Sequence, residues 1–282
     1  MSITKEMWES AILAAVVSGF FAASFSVASR LFNKIRSLAA IRRLLGPFSE
    51  NDQICAVFTK EMYSRDGKYF SQSPNYFPPH TEGKEDKWIN IPYVISTADM
   101  KAATDVLHLL GQAEKKQNIE FRSAITDWDL WNCHIIAVGG SPKSKAIMSS
   151  CAPQLIRITQ GQHTIGFQLT GCEEIFEAIN NNDYGIILKA EYPPTGKQCM
   201  IIMGLGSLGT EGASYYLRQN AQILGRAFGA KSFVVLVHCR VDQGKQSTKI
   251  HRWYPQIPLW RILLHPSLWS IFRRIDSSRT NG

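Results

Sequence analysis

The sequence predicts a Rossmann-like α/β protein, a three-layer sandwich around a mixed sheet, preceded by one N-terminal transmembrane helix. Short, continuously apolar runs alternate with segments of helical periodicity, and glycine clusters stand where strands turn into helices. An uncharged stretch of twenty residues, Ser10 to Ser29, comes before all of them. Continuously apolar strands suit a sheet covered on both faces, and their alternation with helices suits a layered α/β fold.

The uncharged stretch, SAILAAVVSGFFAASFSVAS, has about the length that crosses a ~30 Å hydrocarbon core. Ser10, Ser18, Ser24, Ser26 and Ser29 dilute its hydrophobicity, so a buried soluble helix is the competing reading. A cleaved signal peptide is a further alternative, but the preceding flank is acidic at Glu6 and Glu9 rather than basic. Arg30, Lys34, Arg36, Arg42 and Arg43 follow the run, which by the positive-inside rule leaves the bulk of the chain in the cytoplasm, single-pass in the inner membrane. Residues 1–32 are therefore read as flank and span, and 33–50 as a basic juxtamembrane segment. Ala11, Ala15, Gly19 and Ala23 recur every four residues, as do Ala14, Ser18, Ala22 and Ser26. Such small strips allow close helix approach in lipid and predict a homo-oligomer, although Ala and Ser are also simply common in spans.

Residues 51–242 are read as the α/β domain. Ile54 to Phe58 is a buried strand, and the Pro- and aromatic-bearing stretch Ser64 to Trp88 is an irregular excursion. A strand around Ile91 to Ile95 precedes a helix from about Ala98 to Lys116, where Ala102, Val106, Leu109, Leu110 and Ala113 share one face. Strands at Ile119 to Ser123 and Cys133 to Val138 follow, the second ending in Gly139-Gly140-Ser141-Pro142-Lys143-Ser144, where a short helix starts. Shorter β segments are expected at Gln154 to Ile158 and Thr164 to Leu169. Tyr184 to Ala190 and Gln198 to Met203 form a hairpin across a loop holding Pro193, Pro194 and Gly196. A glycine-rich turn, Gly204 to Gly212, opens a helix through about Phe228, and Ser232 to His238 is the last buried strand.

The net charge of +8 over 282 residues is unevenly distributed. Arg30 to Arg43 holds five basic residues and no acid, and Arg240 to Gly282 holds eight basic and two acidic residues. Leu44 to Cys239 is near neutral, with 17 basic and 19 acidic residues. Nucleic-acid binders spread base over a folded face; here the excess flanks apolar segments, so membrane lipids are the expected partner and no direct nucleic-acid binding is. Cys55, Cys133, Cys151, Cys172, Cys199 and Cys239 are widely spaced with no CxxC pair, which fits a reducing compartment and predicts no metal site.

The two strand-Gly-helix turns are the candidate ligand site. Glycine lets backbone approach a ligand closely, and the amides of a helix N-terminus attract phosphate or another anion. Gly139, Gly140, Ser141, Lys143 and Ser144 supply one turn, with Lys143 as counter-charge. Gly204, Gly206, Ser207, Gly209, Thr210 and Glu211 supply the other, with Glu211 available for a ribose hydroxyl or as a base. The two are expected side by side, forming one cleft for a small anionic or nucleotide-like molecule. The competing reading is that each glycine only ends a strand and caps a helix. Gly204, Gly206 and Gly209 satisfy GxGxxG, yet the preceding strand is a hairpin arm and no acid stands about twenty residues on, so NAD is not expected. Leu205-Gly206-Ser207-Leu208-Gly209 has leucine where a nucleophile elbow needs glycine. His134, His163 and His238 lack a recognisable spacing and read as ordinary core or surface histidines.

From about Val94 to Val237 the chain resembles a group of bacterial Rossmann-like domains found attached to membrane helices or DNA-binding domains. The resemblance rests on Gly139-Gly140-Ser141-Pro142 after a strand, Asp183-Tyr184-Gly185-Ile186-Ile187, and Gly209-Thr210-Glu211-Gly212-Ala213. It implies the fold and supplies no catalytic residues. Members often carry asparagine after the first turn, where this chain has Lys143 and Lys145.

Residues 243–282 form a basic, tryptophan-rich tail. Trp253, Trp260 and Trp269 are interleaved with Arg252, Arg261, Arg273 and Arg274, which suits a helix lying in the membrane interface or packed on the domain. Together these features predict a membrane-anchored ligand-sensing effector of the kind found in bacterial antiviral defence. A membrane-anchored enzyme acting on a nucleotide-like substrate is the alternative, and a non-catalytic scaffold the third reading.

Overall fold

The computed structural model describes residues 5–45, 53–57, 60–65, 68–70, 89–113, 118–122 and 132–255. Four helices are described: α1 (Lys5–Leu45), α2 (Thr97–Gln112), α3 (Pro142–Cys151) and α4 (Ser207–Ala227). The strands are β1 (Gln53–Val57), β2 (Lys60–Arg65), β3 (Lys68–Phe70), β4 (Ile89–Val94), β5 (Asn118–Phe121), β6 (His134–Val138) and β7 (Ile156–Gln160). They continue as β8 (Ile165–Leu169), β9 (Phe176–Glu177), β10 (Asn182–Tyr192), β11 (Lys197–Gly204), β12 (Phe233–Arg240) and β13 (Lys249–Tyr254).

The largest sheet among the described residues is seven-stranded, in the order β13-β12-β10-β11-β6-β1-β5. β5, β1, β6 and β11 run parallel, while β10, β12 and β13 join antiparallel, which is the expected mixed sheet. Its apolar residues alternate between two faces, as a strand's period of two requires. Ile54, Ile136, Val138, Ile187, Met200, Ile202 and Val235 face α2, α4 and the end of α1. Ile135, Ala137, Ile186, Leu188, Ile201 and Leu236 face α3 and a small antiparallel sheet, β7-β8-β9. These are the three layers. A further small sheet, β3-β2-β4, precedes α2.

Several elements differ from expectation: β2, β3 and β9 stand where no strand was expected, β3 within the stretch read as an irregular excursion. β13 pairs with β12 from Val234↔Tyr254 to His238↔Lys249, so the sheet runs past residue 242 into the segment read as tail. Its Trp253 packs against the core, while Trp260 and Trp269 lie outside the described residues. The residues read as span and as basic juxtamembrane helix form one unbroken helix ending at Leu45, just before Gly46-Pro47, since nothing between Ser29 and Leu45 is a glycine or proline. Among the described residues no helix is long and apolar enough to cross a membrane. The side chains of residues 5–23, including the small-residue strips as far as Ala23, lie outside that set.

The C-terminal end of α1 is built into the domain. Ala40, Ile41, Leu44 and Leu45 are buried in the core with α2 and α4. A Cβ on Gly225 of α4 would collide with the Ala40 carbonyl, so glycine there is what lets the two helices touch backbone to backbone. Arg42 Nε donates to Ala113 O at 3.1 Å, and the buried Lys189 of β10 donates through Nζ to Arg43 O at 3.4 Å. A cation at the end of a helix meets its unpaired carbonyls and the negative end of its dipole.

Candidate functional site

β6 and β11 are parallel neighbours, registered from Cys199↔Ile135 to Ile202↔Val138, so their carboxyl ends meet at one edge of the sheet. The Gly139 N–H donates to Ile202 O at 2.9 Å, and a Cβ on Gly140 would stand 3.1 Å from Gly204 O. The two predicted turns therefore lie side by side. From this edge α3 passes to one face of the sheet and α4 to the other. A pair of adjacent strands whose helices leave in opposite directions is a topological switch point, where open α/β sheets form a ligand crevice. Gly139 has a φ of +91°, which an L side chain rarely adopts.

The α4 turn is already filled. The buried carboxylate of Asp183, on β10, accepts from Gly206 N–H at 2.9 Å through Oδ1 and from Gly209 N–H at 2.7 Å through Oδ2. Its own neighbour Tyr184 N–H donates to Oδ1 at 2.8 Å. A carboxylate on the first amides of a helix occupies the place a phosphate would take, with the same dipole attraction. A Cβ on Gly206 would stand 2.6 Å from Asp183 Oδ2, and one on Gly209 2.8 Å from Oδ1. These glycines make room for an internal anion, which corrects the expectation that both turns offer their amides to one ligand. Thr210 is likewise committed: its buried hydroxyl accepts from Gly204 N–H at 2.9 Å.

The α3 turn is capped from within but open on one side. Ser141 Oγ accepts from Ser144 N–H at 3.2 Å, the two buried hydroxyls are 3.1 Å apart, and Pro142 opens the helix. Gly140 is exposed, and the Lys143 side chain lies outside the described residues. α2 brings its N-terminus to the same edge, with Asp99 against Gly139 and Ser96 Oγ accepting from Asp99 N–H at 3.0 Å. Glu211 forms an ion pair with Lys101 of α2 at 3.1 Å, and Ser207 is exposed beside it. The switch point is thus flanked by Asp99 of α2 and by Glu211 of α4, which is paired with Lys101, and at α3 by the exposed Gly140 turn, where Pro142 carries no N–H and the Ser144 N–H is held by Ser141. Among the described residues no group of three His, Cys, Asp or Glu could hold a metal ion.

Sequence reasoning missed Asp183 and Asp99 as the groups that shape the crevice. It also missed a ring cluster on the neighbouring strands. Tyr184 lies 5.2 Å from His238 and 5.6 Å from His251, and Phe176 lies 5.0 Å from His251, between ring centroids. His238 Nε2 is 2.7 Å from Asn182 Oδ1, and Asn182 Nδ2 donates to Asn180 O at 3.2 Å. That second bond turns the amide oxygen toward the ring, so Nε2 carries the proton and Nδ1 is left as a base. Burial pushes the pKa of both histidines below its ordinary value, with nearby Lys249 and Arg240 adding to the effect at His238. Cys239, beside Thr248, is no nucleophile, because burial holds its thiol up at about 11.

Comparison with protein-family models finds no match to this chain, and comparison with curated proteins finds none either.

Proposed function

We propose that the chain is a membrane-anchored ligand sensor. In this reading α1 is a single-pass anchor of the inner membrane, the α/β domain lies in the cytoplasm, and the crevice between β6 and β11 takes a small nucleotide-like molecule. A nucleotide's anionic group is placed at the exposed Gly140 turn before α3, because Asp183 already fills the α4 turn, and its hydroxyls toward Asp99 and Glu211. The observation that carries the reading is the path of α4. One end of this helix forms a wall of the crevice, and the other end packs backbone to backbone on α1. Between them the helix leaves regular geometry at Asn220, with φ −118° and ψ 15°. A ligand that shifts the first turns of α4 has a direct mechanical route to the anchor, and several copies brought together would form the membrane effector, as in bacterial defence.

An anchored enzyme acting on a nucleotide-like compound is the second reading, favoured by the oriented base of His238. Incubating the full-length protein in detergent with a panel of nucleotides, followed by thermal melting and product analysis, separates the two. Stabilisation without turnover supports the sensor, turnover supports the enzyme, and neither overturns both.

A further inference from the structure

The exposed part of α1 carries a concentration of large apolar side chains found nowhere else among the described residues. Phe25 is 77% exposed, Phe32 63% and Ile35 66%, with Val27 and Leu31 beside them. Three of these five lie beyond the uncharged run, on the stalk between Ser29 and the docked end at Ala40. At about 1.5 Å per residue, Ile35 stands roughly 9 Å past Ser29, outside the hydrocarbon if that run is the span.

Their positions follow a seam. Phe25, Ala28, Phe32, Ile35 and Ala39 alternate steps of three and four, the spacing that keeps one stripe facing a partner helix. Arg30, Lys34 and Arg36 all fall off this stripe. At roughly 100° per residue, the seam centres about 160° around the helix from Ile41, the middle of the docked face. It therefore points away from the chain's own domain, while Arg30 and Lys34 stand above the docked face. A second α1 can reach the seam with both domains on the outside, and the basic face stays free for lipid phosphates. In sequence the same spacing continues upward through Phe21, Ser18, Ala14 and Ala11, so these small residues share its register, whereas Ala15, Gly19 and Ala23 do not.

We propose that the stalk of α1 pairs in parallel with the α1 of a second copy of this chain through Phe25, Ala28, Phe32, Ile35 and Ala39. The pairing deepens the oligomeric part of the proposed function by naming its contact surface, and it requires neither the ligand nor the crevice.

Single cysteines test it, introduced in the full chain in native membranes on a Cys172→Ser background; the other five cysteines are buried. Under mild oxidation, Ala28→Cys and Ile35→Cys should give at least about five times more covalent dimer than Arg30→Cys and Lys34→Cys, as expected of core against outer coiled-coil positions. Adding Phe32→Glu to Ile35→Cys should cut that dimer. Equal yields at all four positions would overturn the proposal. So would seam cysteines that neither cross-link nor react with a water-soluble maleimide, the result for a face buried in lipid. Carbonate extraction of the same membranes is read separately: release of the chain removes the anchor, whereas the cross-linking pattern decides the seam.

Discussion

Replacing Asp183 with alanine tests the filled α4 turn most directly. The substitution removes the shared acceptor of three backbone amides, Gly206, Gly209 and Tyr184. A buried donor left without its acceptor costs roughly 1–3 kcal/mol. Gly209 is buried, and Gly206 and Tyr184 are half-buried, so water recovers part of the loss and the sum is about 3–4 kcal/mol. For a chain of this size each kcal/mol moves the melting temperature by about 2–4 °C, which gives a fall of roughly 6–15 °C for the full-length protein in detergent. The vacated space is an anion site on a helix N-terminus, so formate or phosphate should restore part of the loss. An anion held at ten times its dissociation constant returns about 1.4 kcal/mol. Wild type, with the site filled by its own carboxylate, should gain much less from the same titration. If Asp183→Ala melts within about 2 °C of wild type, or if formate raises both proteins equally, the internal anion is not what holds this turn.

Gly225→Ala should force α4 off Ala40 and cost about 1–3 kcal/mol by overpacking, read as a lower melting temperature and faster proteolysis after residue 45. Ser207→Glu places a carboxylate in the first turn of α4, where the helix dipole favours it by about 0.3–1 kcal/mol, so melting should hold or rise while stabilisation by a nucleotide is lost. His238 and His251 have pKa values lowered by burial, so the fold favours their neutral forms. Their stability contribution is complete above about pH 6.5 and is lost as pH falls through the folded values; the acid-induced drop in melting temperature should shrink in His238→Gln/His251→Gln. By helical spacing Gly19, with Ala15 and Ala23, is out of register with the stalk seam, so Gly19→Leu should leave both insertion and the Ile35→Cys cross-link unchanged; loss of that cross-link would place the contact on the Gly19 strip instead.

The elements read correctly from the sequence are those whose own residues dictate them. β6, the β10–β11 hairpin and β12 are continuous apolar runs, and α2 has its helical stripe; each lies within a few residues of expectation. β13 was hidden because an edge strand needs little apolar content. In KIHRWY only Ile250 is buried, with Trp253 and Tyr254 packed against the core, and the basic residues among them suggested a tail. β2 and β3 carry no apolar run, and the pairing of β2 with β4 across residues 71–88 is long-range. The single helix α1 was divided in the reading because its composition changes at Arg30, although composition alone breaks no helix.

The site divides along the same line. That glycines after β6 and β11 would meet at one edge follows from two strands entering helices from a shared sheet. What those glycines make room for does not follow, because the occupant of the α4 turn comes from more than twenty residues upstream. Antiparallel pairing of Gly185 with Gly204 carries Asp183 past the end of β11 and onto the α4 amides. A GxGxxG spacing records only that something must come close to a helix N-terminus; it cannot tell a phosphate from a carboxylate of the same chain. The distinguishing feature is an acid at the start of a strand antiparallel to the one that feeds the turn. A parallel neighbour runs the same way and brings its carboxyl end to that edge, whereas an antiparallel neighbour delivers its first residues there. Wherever a glycine-rich turn follows the second arm of a hairpin, the opening residues of the first arm are the first place to look for its anion.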